Sequence, residues 1–403
     1  MKILYHHRTR SADGQRVHID GLIGALRRAG HEVEIVAPKP RREAGPTTLN
    51  SGAASGDKAP ARADGGPPRA SLLRELAEQA YDFVERRALR RAIDRFHPAA
   101  IYSRHALFST AAAVVARERG LPLSIEVNAP LALERSQHGG LFFEARARRL
   151  ETATLNRADR VVVVTQAMGE LLVEQGVERS RLEVHWNGLE PEALRGHFDG
   201  GAIRRALGLT TDSRDALVLG FVGFVRDWNR LERLFPFLAR TRSARFVVVG
   251  EGPDQPRLLR LAAEAGVAAR VHFVGTVPRA KVLDHVAAFD IALLPEVTRY
   301  ASPLKLLDYF AAGKPALVPD YANLREVVAD GENGLLFDPA RAGDFERRLE
   351  ELAASKELRE RIGAAGRATI DRLGLTWDAN ARRVVEGFAA EVARRNASRD
   401  GGR

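Results

Sequence analysis

Within SPLKLLDYFAAGKP, residues 302–315, a lysine and an aspartate stand three residues apart at the start of an apolar helical pattern. Ser302 is a capping residue type, Pro303 suits the first helical position and Gly313 marks the stop. At that spacing Lys305 and Asp308 share one face of the helix. There they form either a salt bridge worth roughly a few tenths of a kcal/mol or part of a binding site. The chemistry such a helix start offers is anion binding, because the free backbone N–H groups of its first turn, where Leu304 lies, and the lysine face one point. Arg226 is a second cation suited to the task. It follows the strand pattern LGFVGFV, in which Gly223 lets backbone approach a ligand closely. Glu251, in GEGP, sits in a glycine-rich turn of a kind common to any α/β domain.

A second group lies in the first half. SADGQRVH places Asp13, Gly14 and His18 at the mouth of the first strand pattern, where loop N–H groups can meet an anion. IEVNAP places Glu126 and Asn128 at the end of another strand. Glu126 reads either as a base or as a carboxylate hydrogen-bonded to its own loop, and a lone His18 on a helix is structural as readily as functional. No HExxH, Walker loop, GxSxG or Cys/His cluster occurs, so metalloprotease, NTPase and serine-hydrolase chemistry have no residues to rest on.

The elements that must position these residues alternate. Short apolar runs (KILYHH, HEVEIVAP, AIYSR, LSIEVN, RVVVVT, LEVHW, then LVLGFVGFV, RFVVVGEG, VHFVGTV, DIALLP, PALVPD, NGLLF) are separated mostly by amphipathic stretches. That is the pattern of parallel sheets with crossover helices. It predicts an α/β protein of two doubly wound, Rossmann-like domains facing a cleft. The first spans 1–200 and the second 201–375, with a polar, glycine-rich break near 195–215. The segment 376–403 reads as a helix packing back on the first domain. Residues 41–70, rich in Gly, Pro, Ala and Ser, read as a mobile loop. The helix pattern 71–96 carries ERRALRR, a basic stripe able to lie on a membrane, while Leu72, Leu76, Phe83 and Leu89 read as core contacts.

Composition bounds the partners. The 403 residues exceed one ordinary core and carry a net charge of +10. Only seven of the 62 basic residues are lysine, and the arginines are scattered over nearly every helix. With no recognition motif beside them, nucleic acid is not expected as a partner. The absence of cysteine and of a signal-peptide pattern suggests a cytoplasmic protein, with peripheral contact at the inner membrane face as the basic surface's further implication.

Five pieces in order between residues 220 and 337 carry a family resemblance: GFVGFVRDWNRLERL, VVVGEGPD, VHFVGTVPRAKVLDHVAAFDIALLP, SPLKLLDYFAAGKPALVPD and LREVVADGENGLLF. They resemble the carbohydrate-transferring domain of GT-B glycosyltransferases, specifically glycosyltransferase family 4, the glycosyl transferases group 1. SADGQRVHIDGLIGALRRAGHEVEIVAP, ADRVVVVTQAMGELL and VHWNGLEPEAL are similar, more loosely, to the acceptor-side domain. The resemblance implies a retaining, metal-independent transfer of a sugar from a nucleotide-sugar to a glycan, lipid-linked or small-molecule acceptor, with no cofactor and no covalent catalyst. It implies donor contacts from Gly223, Arg226, Glu251, Ser302, Pro303, Leu304, Lys305 and Asp308, the last towards ribose hydroxyls. Asp13, Gly14 and His18 fall on the acceptor side, and Glu126 and Asn128 near the reacting sugar, where the family often has a His. The family's two glutamates, seven residues between them, are here Tyr300 and Asp308, with Glu296 four residues before the tyrosine. That departure keeps open an inactive homologue acting as a binding partner, and the fold also serves nucleotide-sugar epimerases and phosphorylases.

Overall fold

The computed structural model describes residues 1–9, 14–38, 72–138, 140–209 and 216–400. Asp13 and the segment 41–70 lie outside the described residues. All twelve apolar runs form strands. The first sheet comprises β1 (Lys2–His6), β2 (Glu32–Val36), β3 (Ala100–Arg104), β4 (Leu123–Val127), β5 (Arg160–Val163) and β6 (Leu182–Val184) in the order β2-β1-β3-β4-β5-β6. The second comprises β7 (Val218–Val222), β8 (Arg245–Val249), β9 (Val271–Gly275), β10 (Ile291–Leu293), β11 (Ala316–Pro319) and β12 (Leu335–Phe337) in the order β12-β11-β10-β7-β8-β9. Every pairing in both is parallel. A parallel strand with helices on both sides has no polar face, which is why β3, β4, β7 and β11 are buried throughout. Both sheets are the expected doubly wound α/β architecture, and in each the order reverses at its first strand, β1 and β7. Ligands bind outside the carboxyl ends of strands at such reversals.

Helix Trp377–Asp400 crosses back to the first sheet's flank. Trp377, Ala381, Val384 and Phe388 join Tyr5, Ile19 and Leu26 in one buried cluster. Gly21 is the contact point, since a Cβ there would stand 2.3 Å from the Trp377 indole nitrogen. Arg395 fixes the far end on Asp159 at 2.7 Å.

One expectation fails. Of the positions read as core in helix Leu72–Phe96, Leu89 is buried, but Leu72, Leu76 and Phe83 are exposed. The first turns instead bury Glu75, Asp82 and Glu85. Each inward carboxylate has strong donors waiting: Glu75 takes the backbone N–H groups of Phe142 and Phe143, and Asp82 takes the backbone N–H and the hydroxyl of Thr110. Glu85 takes Arg8 Nε at 2.6 Å. Charge-assisted bonds of this kind outweigh the burial of two or three leucines when both cannot face inward.

Candidate functional site

From β10 the chain runs through a loop into helix Leu304–Ala311. Its N-cap is Pro303, not Ser302, whose hydroxyl is occupied by the backbone N–H of Asn187 at 3.0 Å. Gly313 adopts φ 63° just past the end, as expected of a helix stop. Lys305 is 3% exposed, with its ammonium 4.0 Å from the centroid of the Phe221 ring. Lys305 and Asp308 make no ion pair. Among the described residues no carboxylate compensates the lysine, and burial alone pushes its ammonium down to about 7. A cation held in an apolar wall beside a helix N-terminus is a receptor for an anion.

Asp308 also differs from expectation in its partner. Both its oxygens are taken by Arg279, at 2.7 and 2.6 Å. A ribose hydroxyl would reach Asp308 through its remaining lone pairs, beside a guanidinium that sequence spacing had not connected to it. Arg279→Met strands a buried carboxylate. It is expected to lower stability by about 3 kcal/mol, measurable as a fall in melting temperature.

Arg226 projects from two loops locked together. Gly223 and Gly250 have φ of 133° and 135°, and a Cβ on Gly250 would lie 2.2 Å from the Gly223 carbonyl oxygen. Val225 N donates to the Glu251 carbonyl at 3.0 Å. Asn229, buried, accepts from Arg226 N at 2.8 Å, and the Arg226 guanidinium lies 4.8 Å from the Phe224 ring centroid. Glu251 itself is exposed, so its part in this arrangement is its backbone.

Across the cleft, Glu126, next to last in β4, is a buried hub. It accepts from Arg104 Nη1 at 2.7 Å, Tyr102 Oη at 2.9 Å, His18 Nε2 at 2.8 Å and the Asn128 amide. Burial acts to raise its carboxyl, but the His18 and Arg104 charges outweigh it and hold the group well below the usual range. Of the two readings of Glu126, the geometry matches the hydrogen-bonded carboxylate, since four donors occupy its two oxygens. Asn128 is spent on the same carboxylate. Gly14 begins the helix Gly14–Arg28 that brings His18 to Glu126.

His18 Nδ1 lies 2.7 Å from Asn187 Oδ1, while Asn187 Nδ2 donates to the Ser302 carbonyl at 2.6 Å. One continuous chain, Glu126–His18–Asn187–Ser302, thus links the two sheets at the mouth of the Lys305 helix. Its only signal in the sequence was VHWNGLEPEAL, where Asn187 carries no charge to draw notice.

The halves meet again at Tyr300. Its hydroxyl bonds the Glu134 carboxylate, and its carbonyl accepts from Thr165 Oγ1 at 2.8 Å. Burial raises the Glu134 carboxyl to about 7. Glu326 caps the helix Gln166–Glu174 from across the cleft, taking Gln166 N, Ala167 N and Trp186 Nε1. Glu296 accepts from Tyr321 Oη at 2.7 Å.

Two family profiles match the chain: Glycosyltransferase Family 4 over residues 12–193 and Glycosyl transferases group 1 over 201–369. A D-inositol 3-phosphate glycosyltransferase of Stackebrandtia nassauensis is 30% identical over 264 residues, covering 62% of this chain but 58% of that protein. One of Frankia alni is 29% identical, over 72% of this chain and 73% of that one. Among solved structures, HepE of Anabaena in complex with UDP superposes with a TM-score of 0.69 at 17% identity, over 97% of this chain and all of that one. The sucrose-phosphate synthase of Thermosynechococcus elongatus gives 0.70 at 18%, over 98% of this chain and all of that one.

Proposed function

Because the chain belongs to the glycosyltransferases of family 4, with the GT-B fold, we propose that it transfers a sugar from a nucleoside-diphosphate donor to an acceptor held on the first sheet. The observation that carries this is Lys305. A buried ammonium without a carboxylate, at a helix N-terminus and close to the Gly223 loop, is built to receive the charge that develops on a departing diphosphate. Arg226 is the second cation of that grip, and the Arg279–Asp308 pair bounds the side where a ribose would lie.

Retention of configuration is part of the proposal, by attack of the acceptor on the face the nucleotide leaves. Neither of the two buried carboxylates assigned to the reacting side of the site is free to act as a nucleophile: Glu126 is saturated and Asp308 is paired. Metal independence is also proposed, since Lys305 and the helix start supply positive charge where a divalent ion would otherwise stand. The absence of cysteine fits a reducing compartment, and the cytoplasm is the proposed site of action.

The test is a thermal-shift panel of UDP, GDP, ADP, TDP and CMP in EDTA, with UDP first because HepE holds it. A ligand at about 100 times its dissociation constant adds about 2.7 kcal/mol of stability. One diphosphate is expected to raise the melting temperature with the chelator present. A shift appearing only on adding magnesium or manganese rejects metal independence, and no shift with any nucleotide rejects the transferase reading.

A further inference from the structure

Helix Leu72–Phe96 is turned inside out over its first half. Its solvent face carries Leu72, Leu73, Leu76, Ala77, Ala80, Phe83 and Val84, all exposed, with Leu73 at 79% and Phe83 at 70%. These positions recur at three- and four-residue intervals, so they form one stripe about 18 Å long. Phe142, 57% exposed, is held near the start of this stripe, because Glu75 on the helix's inner face binds the backbone N–H groups of Phe142 and Phe143. The helix cannot roll to hide this face. Doing so would pull Glu75, Asp82 and Glu85 off their buried donors and bring Leu89 and Ile93 out of the core.

We propose that this stripe docks on an anionic lipid bilayer. Arg87 and Arg91 continue the same exposed face beyond Val84, so the apolar stretch runs directly into a cationic one, and the chain as a whole carries +10. That is the arrangement of a helix lying in the interface, with apolar side chains among the acyl chains and arginines at headgroup level. The residues between 41 and 70 are a poor cover for it: Leu49 is their one large aliphatic side chain, and they hold no aromatic one. No described helix is long and apolar enough to cross a membrane, so the contact is peripheral.

The placement deepens the proposed transfer, on which this further step rests. The inner face of the same helix holds Arg8 beyond β1 through Glu85, and Glu78 receives Arg135 from helix Leu131–His138, which carries Glu134. Docking by the stripe sets the acceptor side of the cleft next to the headgroups. The acceptor class it fits is a lipid-linked one.

Co-sedimentation of the full chain with vesicles tests the docking without substrate. Phosphatidylcholine vesicles carrying phosphatidylglycerol should retain at least about tenfold more protein than phosphatidylcholine alone. The variant Leu73→Ser/Phe83→Ser should lose that binding while its melting temperature and nucleotide shift stay at wild-type values. Arg87→Glu/Arg91→Glu should lose the preference for the anionic lipid. Equal binding to both vesicle types, or binding untouched by the serine pair, overturns the proposal. So does a wild-type dimer in solution that the serine pair makes monomeric, because a second copy is then the occupant. A failed nucleotide shift with intact vesicle binding would instead strike the transferase reading alone.

Discussion

Replacing Lys305 by methionine is expected to raise the melting temperature of the ligand-free protein and to weaken nucleoside-diphosphate binding by about 100-fold or more. The two effects share one cause. The ammonium falls from an ordinary 10.5 to about 7 because burial penalises its charge and no carboxylate compensates it. That fall corresponds to roughly 5 kcal/mol between charged and neutral forms. Methionine fills similar space without the charge, at the loss of the cation–π contact with Phe221, worth about 1–2 kcal/mol when desolvated. The melting temperature should therefore rise by a few degrees, while affinity for the diphosphate falls by about 100-fold or more. A variant that binds as well as the wild type removes Lys305 from the donor site. One that melts lower removes the argument from uncompensated burial.

The sign with pH follows from the depressed value. Below pH 7 the lysine is charged both folded and unfolded, and the folded state carries the full cost of burial. Between 7 and 10.5 the folded chain releases its proton while the unfolded chain keeps it, so the cost falls and ligand-free stability rises with pH. Binding runs the other way. A diphosphate restores the proton, so above pH 7 its affinity should weaken by about tenfold per pH unit until the value in the complex is reached. Calorimetry in buffers of different ionisation enthalpy should show proton uptake at pH 8 in the wild type and none in Lys305→Met.

Lys305 was legible in the sequence because its neighbourhood is local: a proline, a lysine and a glycine within one short helix fix where its first turn points. The strands were legible for a similar reason, since a parallel strand buried on both faces must be apolar at every position, and the run VVVV of β5 has no other reading. Arg279 and Asp308 lie 29 residues apart on different elements, and only the packing of the loop after β9 against the helix Leu304–Ala311 makes them a pair. Glu126 was found with both readings open, because the donors that bear on the choice come from Arg104 on the neighbouring strand and His18, 108 residues upstream. The helix Leu72–Phe96 was placed to within a residue, but its first half was turned the wrong way. Its leucines look the same in sequence whether they face a core or solvent. The deciding partners of its carboxylates, Phe142, Thr110 and Arg8, lie far off in the chain.

Asn187→Ala is expected to cut turnover by about 100-fold while changing nucleotide affinity little. Asn187 is a positioning residue: it touches no reacting atom, yet its amide nitrogen holds the Ser302 carbonyl and its oxygen faces His18. Glu126 faces one ring nitrogen of His18 and Asn187 Oδ1 the other, so the ring is held from both sides. Truncation leaves a ring nitrogen and a carbonyl unpaired in a buried place, which costs about 1–3 kcal/mol of stability each. More telling is the split in kinetics. The Lys305 helix keeps its cation and its N–H groups, so the diphosphate still binds, but the tie that sets it against the acceptor side is gone, and a misplacement of about 1 Å costs about 100-fold in rate. Asn187→Asp separates the two halves of the role. It keeps an acceptor for His18 and puts an oxygen against the Ser302 carbonyl, so it should fold more stably than the alanine variant and turn over no faster. If both variants bind nucleotide normally and keep wild-type turnover, the Glu126–His18–Asn187–Ser302 chain holds the two sheets together without setting the reaction's geometry.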